Sequence, residues 1–318
     1  MNLDFSETKV LVVGDLMLDR YIIGESNRMS PEAPVPVVIP VKKYSVAGGA
    51  GNVALNLAAM NANTTCNGVV GNDKWGKELI NLLENDLDTA NIIMSESFPT
   101  TLKKRTYLEG KQLLRVDEEK KLDSSHDIEI NNAISNILQK FDIVILSDYN
   151  KGVLNSTTIN NILNLANEYK IPVIVDPKKN NFSYYKGANI LTPNLNELKK
   201  ASDIIIQDNK SIIKSCQDLI KNNNFEYIIV TKGENGITII GKDLVKNIEA
   251  HHVRNPDVTG AGDTVVSVLA LLYSNTKDIE LSAHIANIAA ASTVSKAGTA
   301  CCSLSEIELS IQNNKLEF

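Results

Sequence analysis

Ile143-Val144-Ile145-Leu146-Ser147-Asp148 is followed by Ser156 to Tyr169 and then by Val173-Ile174-Val175-Asp176-Pro177. The first block is a short apolar, β-branched run that ends in polar residues, as a buried strand does. The middle block has helical spacing, and the last is a second strand. Upstream, Asp127 to Gln139 reads as a helix. Downstream come helix Leu195 to Ala201, a helix around Ser211 to Lys221, and strands Tyr227 to Val230 and Ile237 to Ile240. An extended stretch near Leu244 to Ile248 precedes two closing helices, Ala261 to Tyr273 and Glu280 to Ser295. Strands alternating with helices in this way predict an α/β fold, a mostly parallel central sheet flanked by helices on both faces.

The N-terminal part begins in the same style. Lys9 to Val13 reads as a buried strand closed by Gly14-Asp15. Gly48-Gly49-Ala50-Gly51-Asn52 opens a helix with Val53, Leu57 and Met60 on one face, and strand Thr65 to Val70 and helix Lys74 to Glu84 follow. Between these elements the pattern changes. Tyr21-Ile22-Ile23 and Val35 to Val41 are extended, and Pro31, Pro34, Pro36 and Pro40 exclude helix and demote any strand to an edge. Thr100 to Leu108 and Gln112 to Val116, joined at Glu109-Gly110-Lys111, read as a hairpin. These pieces predict a small β lid subdomain, about residues 20–45 and 98–117, within a single domain over 1–318.

Composition narrows the function class. The chain has 318 residues, 43% apolar and 22% charged, with a net charge of −6. That balance argues against a nucleic-acid partner, whose footprint is basic. No run approaches the roughly 18–20 apolar residues of a membrane helix. Met1 to Lys9 does not read as a signal peptide. Four cysteines, with no Cys-x-x-Cys pair, make neither a disulfide framework nor a zinc site. A reducing, cytoplasmic setting is expected. The five arginines (Arg20, Arg28, Arg105, Arg115, Arg254) are sparse among 32 basic residues, so they are candidates for anion sites.

Polar motifs fall on successive strand ends: Gly14-Asp15, Ser147-Asp148, Asp176-Pro177, Thr192-Pro193-Asn194 and Thr231-Lys232-Gly233. Ligands of open α/β sheets sit beyond the carboxyl ends of the strands. Thr259-Gly260-Ala261-Gly262-Asp263 is sharper, because it immediately precedes an apolar helix. Small residues allow close approach of the backbone, and free N–H groups at a helix start bind an anion. A lone aspartate there is ordinarily a response to the helix dipole. Flanked by both glycines and Thr259, Asp263 is suited to accept a proton from an attacking hydroxyl. No Gly-x-x-x-x-Gly-Lys-Ser/Thr loop occurs, no Gly-x-Gly-x-x-Gly follows Val13, and protein-kinase signatures and the Gly-x-Ser-x-Gly elbow are missing.

Taken in order, these motifs resemble the ribokinase-like carbohydrate kinases. The resemblance rests on Gly48-Gly49 with Asn52, Asp176-Pro177-Lys178, Asn194 with Glu197, Thr231 to Gly236, and Thr259 to Asp263. Within that family, Val13 to Tyr21, Ser30 to Val37 and Leu146 to Gly152 are similar to the branch that acts on D-glycero-β-D-manno-heptose 7-phosphate, on the way to ADP-heptose for lipopolysaccharide. The family has alanine where this chain has Gly51, a departure that loosens the helix start. Some relatives carry a fused adenylyltransferase with a His-x-Gly-His site. None of the four histidines forms it, so that activity is expected to be absent from this polypeptide. Other sugar, sugar-phosphate or nucleoside kinases of the family, and a non-catalytic regulator on the same scaffold, are the competing readings.

The resemblance implies ATP and Mg2+ as cofactors, with K+ a further candidate. It implies that Asp263 takes the proton from the anomeric hydroxyl while the amides of Gly260, Ala261 and Gly262 stabilise the transferring phosphoryl group. Asn194 and Glu197 would organise magnesium and the triphosphate, and Thr231, Gly233, Gly236 and Asn287 would shape the nucleotide side. Asp15, Asp19, Gly48, Gly49 and Asn52 would bind sugar hydroxyls. For the 7-phosphate the candidates are Lys103, Lys104, Arg105 and Arg115 on the hairpin, with Lys151 and Lys178 in addition. Strand alternation places Lys103 and Arg105 on one face and Lys104 on the other. The exposed strand edges of the lid predict a homodimer.

Overall fold

The computed structural model describes residues 3–313 apart from 252, 254, 255, 297 and 299, so Arg254 lies outside the described residues. The chain opens with β1 (Lys9–Gly14) and, after Asp15 alone, enters β2 (Leu16–Glu25). A proline-bearing stretch leads to β3 (Ile39–Gly49), which runs directly into α1 (Ala50–Ala59). β4 (Asn63–Gly71), α2 (Lys74–Leu83) and β5 (Ile92–Ser95) follow, then β6 (Thr101–Leu108) and β7 (Lys111–Glu118). The second half continues with α3 (Asp127–Ile137), β8 (Ile143–Ser147), α4 (Ser156–Tyr169), β9 (Val173–Asp176) and β10 (Ile190–Leu191). Next come α5 (Leu195–Ala201), α6 (Asn209–Asn223), β11 (Tyr227–Thr231), β12 (Ile237–Gly241) and β13 (Val245–Ile248). The chain closes with α7 (Ala261–Thr276), α8 (Ile279–Val294) and α9 (Leu304–Asn313).

Among the described residues the larger sheet has the order β13-β12-β11-β10-β9-β8-β1-β4-β5. It is parallel except at β11–β12 and β12–β13. Successive strand residues point to opposite faces. Val10, Val12, Ile143 and Ile145 therefore pack with Val53, Leu57, Val266, Leu269 and Ile285 from α1, α7 and α8. Leu11, Val13, Val144 and Leu146 pack instead with Ile130, Ile134, Ile159 and Ile162 from α3 and α4. Both faces are covered, which is why the central strands read as unbroken apolar runs instead of alternating ones. Local chemistry sets the helix ends. Asn155 Oδ1 accepts from the Thr158 N–H at 3.0 Å to start α4, and Lys170, in the left-handed region at φ 57°, ends it.

The smaller sheet has the order β3-β2-β6-β7. Glu109 and Gly110, with φ of 50° and 77°, form a two-residue turn whose twist suits the β6–β7 hairpin. Pro40 sits in β3, at one edge of the sheet, where a missing donor is tolerated. At the other edge β7 is exposed at every position.

Several boundaries differ from the sequence reading. β2 starts at Leu16, not Tyr21, and β3 runs on to Gly49 through Lys42-Lys43-Tyr44-Ser45, a stretch with no apolar alternation that pairs along β2. β5 and α9 had no counterpart in the sequence reading, and β10, two residues long, was marked there only by the polar motif that follows it. No helix among the described residues is long and apolar enough to cross a membrane.

The two sheets meet at Asp15. Its N–H donates to Ser147 O at 3.2 Å, and its carbonyl accepts from Ala50 N–H at 3.1 Å. Both crossings between the sheets are thereby pinned to one point, beside the carboxyl ends of β1 and β8. Gly49 allows this, since its φ is 60° and a Cβ there would sit 2.4 Å from Asp15 O.

Candidate active site

Asp263 lies in the first turn of α7 and is 5% exposed. Asn52, from α1, donates through Nδ2 to Asp263 Oδ2 at 2.6 Å, and the Tyr149 hydroxyl donates to Oδ1 at 2.9 Å. Burial pushes the carboxyl up to about 6, with Asp19 adding to the rise, while the two hydrogen bonds and Lys103 oppose it. Such a group is ionised at neutral pH yet close enough to it to receive a proton, the tuning expected of a general base. Gly260, at φ 80°, precedes the helix, and no side chain caps it. A Cβ on Gly262 would meet nothing within 4 Å, so space is open over the helix start. Of the three amides expected to face a phosphoryl group, that of Ala261 is engaged, donating to Val258 O at 3.3 Å.

The sugar-side candidates divide. Asp15 is 1% exposed, and its carboxylate accepts from the N–H groups of Tyr149 (2.9 Å), Lys151 (2.9 Å) and Val153 (3.1 Å). Expected as a sugar ligand, Asp15 here holds the loop after β8 through these three backbone donors. Asp19 is in a different position. Gly48 lies across from it, and a Cβ there would come 2.9 Å from Asp19 Oδ2. Asp19 Oδ1 lies 2.7 Å from Arg105 Nη1, an ion pair that is off the alignment of a hydrogen bond. Asn52, Asp19 and Asp263 are thus gathered around one point, whereas Gly49 serves the crossing described above.

Registers in the small sheet place the basic candidates. Asp19 is opposite Lys103, Tyr21 opposite Arg105, Lys103 opposite Asp117 and Arg105 opposite Arg115. Lys103, Arg105 and Arg115 therefore share the face that carries Asp19. Lys104 is on the reverse face, paired with Glu118 and 5.8 Å from the Trp75 ring centroid. Lys103 is held below the usual lysine range, chiefly by burial. Arg115 is more exposed and forks onto Asp117, with contacts of 2.7 and 2.6 Å. Two further candidates are paired with carboxylates. Lys151 Nζ pairs with Glu119 Oε2 at 2.6 Å, and Lys178 Nζ with Glu197 Oε1 at 2.6 Å. Their carboxylate partners draw Lys151 to the end of β7 and Lys178 to the start of α5.

On the opposite side of Asp263, Asn194 and Glu197 form a capping box at the start of α5. Asn194 Oδ1 accepts from Asn196 N–H and Glu197 N–H, and Glu197 Oε2 accepts from Asn194 N–H at 2.9 Å. Both are therefore structural before they meet any ligand. Asp176, at the end of β9, is raised well above the ordinary carboxyl value by burial and by the charges of Glu197 and Asp263. Thr231 ends β11, and its N–H donates to Pro193 O at 3.0 Å. Gly233 (φ 59°) and Gly236 (φ 74°) shape the turn into β12. Asn287 Nδ2 donates to Glu249 O at 2.8 Å, which ties α8 to the segment after β13. No group of three or more His, Cys, Asp or Glu among the described residues is placed to hold a metal by itself.

Two residues at this centre were absent from the sequence-based site. Tyr149 lies within the Leu146 to Gly152 motif, and Asp176 is both a strand end and the first residue of Asp176-Pro177-Lys178, but neither was assigned a role in the site. The signal for both was their position at or just after the carboxyl ends of β8 and β9. Nothing in the sequence indicated which of the polar loop residues would turn inward.

The "Bifunctional protein HldE" of Sulfurimonas denitrificans is 41% identical over 303 residues, covering 94% of this chain and 63% of that protein. Its counterpart in Actinobacillus succinogenes is 38% identical over 312 residues, covering 96% and 64%. The chain therefore spans less than two thirds of the length of these relatives. Arabidopsis thaliana ribokinase, solved with ribose and ATP, superposes with a TM-score of 0.76 at 18% identity, covering 96% of this chain and 99% of that one. Phosphofructokinase-2 of Escherichia coli, solved in complex with potassium, gives 0.78 at 18% identity, covering 97% and 99%. Those two likenesses establish the ribokinase-like fold. Residues 7–306 match the family described as "pfkB family carbohydrate kinase". With the match running through both sheets and the Asp263 helix start, and with relatives near 40% identity over almost the whole chain, the chain belongs to the pfkB family of carbohydrate kinases.

Proposed function

We propose that this chain transfers the γ-phosphoryl group of ATP to the C1 hydroxyl of D-glycero-β-D-manno-heptose 7-phosphate, giving the 1,7-bisphosphate and ADP, in the route to ADP-heptose for the lipopolysaccharide core. The observation that carries the reading is the buried Asp263 carboxylate, raised to about 6, at an uncapped helix start with open space over Gly262. Asp263 accepts the proton of the anomeric hydroxyl as its oxygen bonds to the γ-phosphorus, and the bond from that phosphorus to the bridging oxygen of ADP breaks. The free N–H groups of the first turn of α7 stabilise the negative charge on the transferring group. Lys178, beside Glu197 and Asp176, provides a cation on the nucleotide side.

The oxygen donors Asp176 and Glu197 suit a hard cation, and their crowding fits one bound through water. Magnesium held there would supply charge neutralisation for the triphosphate. The choice of a sugar phosphate is supported by Lys103, Arg105 and Arg115 sharing the Asp19 face of the small sheet. That sheet acts as a lid, and its β7 edge, with Leu114 56% and Val116 43% exposed, supports a homodimer formed through the lid. A cytoplasmic location follows from the nucleotide and sugar phosphate it uses.

The test is ATP consumption against a panel of sugars with and without a terminal phosphate, with the phosphorylated carbon of the product assigned by NMR. Turnover confined to unphosphorylated sugars or nucleosides would overturn the substrate assignment and leave the kinase reading standing.

A further inference from the structure

Tyr149 takes no part in the chemistry set out above, yet it joins the residues that do. Its backbone N–H donates to Asp15 Oδ2 and its hydroxyl to Asp263 Oδ1, each at 2.9 Å. Lys103 Nζ lies 5.4 Å from its ring centroid and Lys178 Nζ 5.8 Å. One lysine comes from the small sheet and the other from the segment after β9, so the ring touches the sugar-side and nucleotide-side cations at once. We propose that Tyr149 is a positioning residue for the transfer: anchored through its backbone by Asp15, it fixes the orientation of the Asp263 carboxylate and favours its ionised form.

The geometry gives the reason. A carboxylate held on only one oxygen can turn about its last torsion, whose well is broad. Asp263 has a donor on each oxygen, Asn52 on one and Tyr149 on the other. The phenol keeps its proton, since burial and the Asp263 and Asp176 charges push it well above its ordinary value. Tyr149 can thus only donate to this carboxylate, and a donor to the charged form lowers a carboxyl pKa. The charged and titratable groups around Asp263 are Asp19 from β2, Lys103 from β6, Asp176 and Lys178 at the end of β9, and Cys301. Asp19 and Asp176 oppose ionisation, as burial does, and the two lysines favour it together with the Tyr149 and Asn52 donors.

This inference rests on the reading of Asp263 as the base. The test is the pH dependence of turnover with sugar phosphate for the unaltered protein, Tyr149→Phe and Asp263→Asn. Tyr149→Phe should shift the acidic limb upward by roughly half to one pH unit and lower the plateau severalfold, with the Michaelis constant for ATP unchanged. An unmoved limb, even with slower turnover, would mean that Tyr149 only packs, and would overturn the proposal. Because that variant could misfold, the unaltered protein labelled with [4-13C]tyrosine gives a second measurement. One of the nine tyrosine signals should titrate with the midpoint of the limb and lose that titration in Asp263→Asn. Absence of any such signal also overturns the proposal. Near-normal turnover in Asp263→Asn would instead remove the base reading itself, a separate failure.

Discussion

Arg105 Nη1 lies 2.7 Å from Asp19 Oδ1 between the parallel strands β6 and β2, and the two side chains are 10% and 7% exposed. Two expected substrate contacts, one for phosphate and one for sugar hydroxyls, are therefore electrostatically bound to each other. Removing one partner of a buried pair costs about 3–5 kcal/mol, because the other charge stays buried. Arg105→Ala should lower the thermal midpoint by several degrees and raise the Michaelis constant for sugar phosphate at least about tenfold, with lysine a poor substitute for the fork. Arg115→Ala should do less on both counts, since Asp117 already neutralises a more exposed guanidinium. Equal effects on the Michaelis constant from the two variants would contradict this ranking.

Asp263→Asn should lower turnover by orders of magnitude with ATP binding intact, as measured by steady-state kinetics and nucleotide titration. Its effect on stability runs the other way. The folded carboxyl, at about 6, is raised above its unfolded value, so ionising it opposes folding. That penalty is absent below the unfolded value, grows as pH rises, and is complete above about 6, where it amounts to roughly 3 kcal/mol. Above that pH the variant should melt no lower than the unaltered protein, and below about pH 4 the advantage should vanish.

The same carboxyl sets a pH limit on turnover. Only the ionised form takes a proton, so the rate should fall about tenfold per pH unit below about 6. A limb near 4, the ordinary carboxyl value, would show that burial does not govern this group in the working enzyme.

Asn194 offers a way to separate capping from metal binding. Asn194→Ala removes the cap of α5 and should cost about 1 kcal/mol by thermal melts without ligands. Asn194→Ser keeps an acceptor for the Glu197 N–H and should restore most of that stability. If the serine variant also keeps the magnesium dependence of the rate, Asn194 is a cap alone.

Gly49→Ala tests the crossing between the sheets. A side chain at φ 60° that also meets Asp15 O at 2.4 Å must move the backbone. A loss of about 2 kcal/mol or more is expected, with a matching fall in turnover, because Asp15 also holds the loop that carries Tyr149.

The fold was largely readable because its signals are local. Val10 to Val13, Ile143 to Leu146 and Val173 to Val175 are continuous apolar runs, and Ser156 to Tyr169 matches its helix residue for residue. The start of α7 was also legible, since glycines before an apolar helix mark a helix terminus by sequence spacing alone. Side-chain direction was not. Asp15, Lys151 and Lys178 each meet a partner far along the chain or in another loop that their motifs do not reveal: backbone N–H groups 134–138 residues away, Glu119 and Glu197. Asn52 and Tyr149 reach Asp263 across separations of 211 and 114 residues. The sequence by itself determined the layers, the strand ends and the place of one polar helix terminus, because backbone propensity and apolar period act over a few residues. Only the tertiary structure decided which polar groups that terminus meets, because competition among buried charges and hydrogen-bond donors is resolved in space.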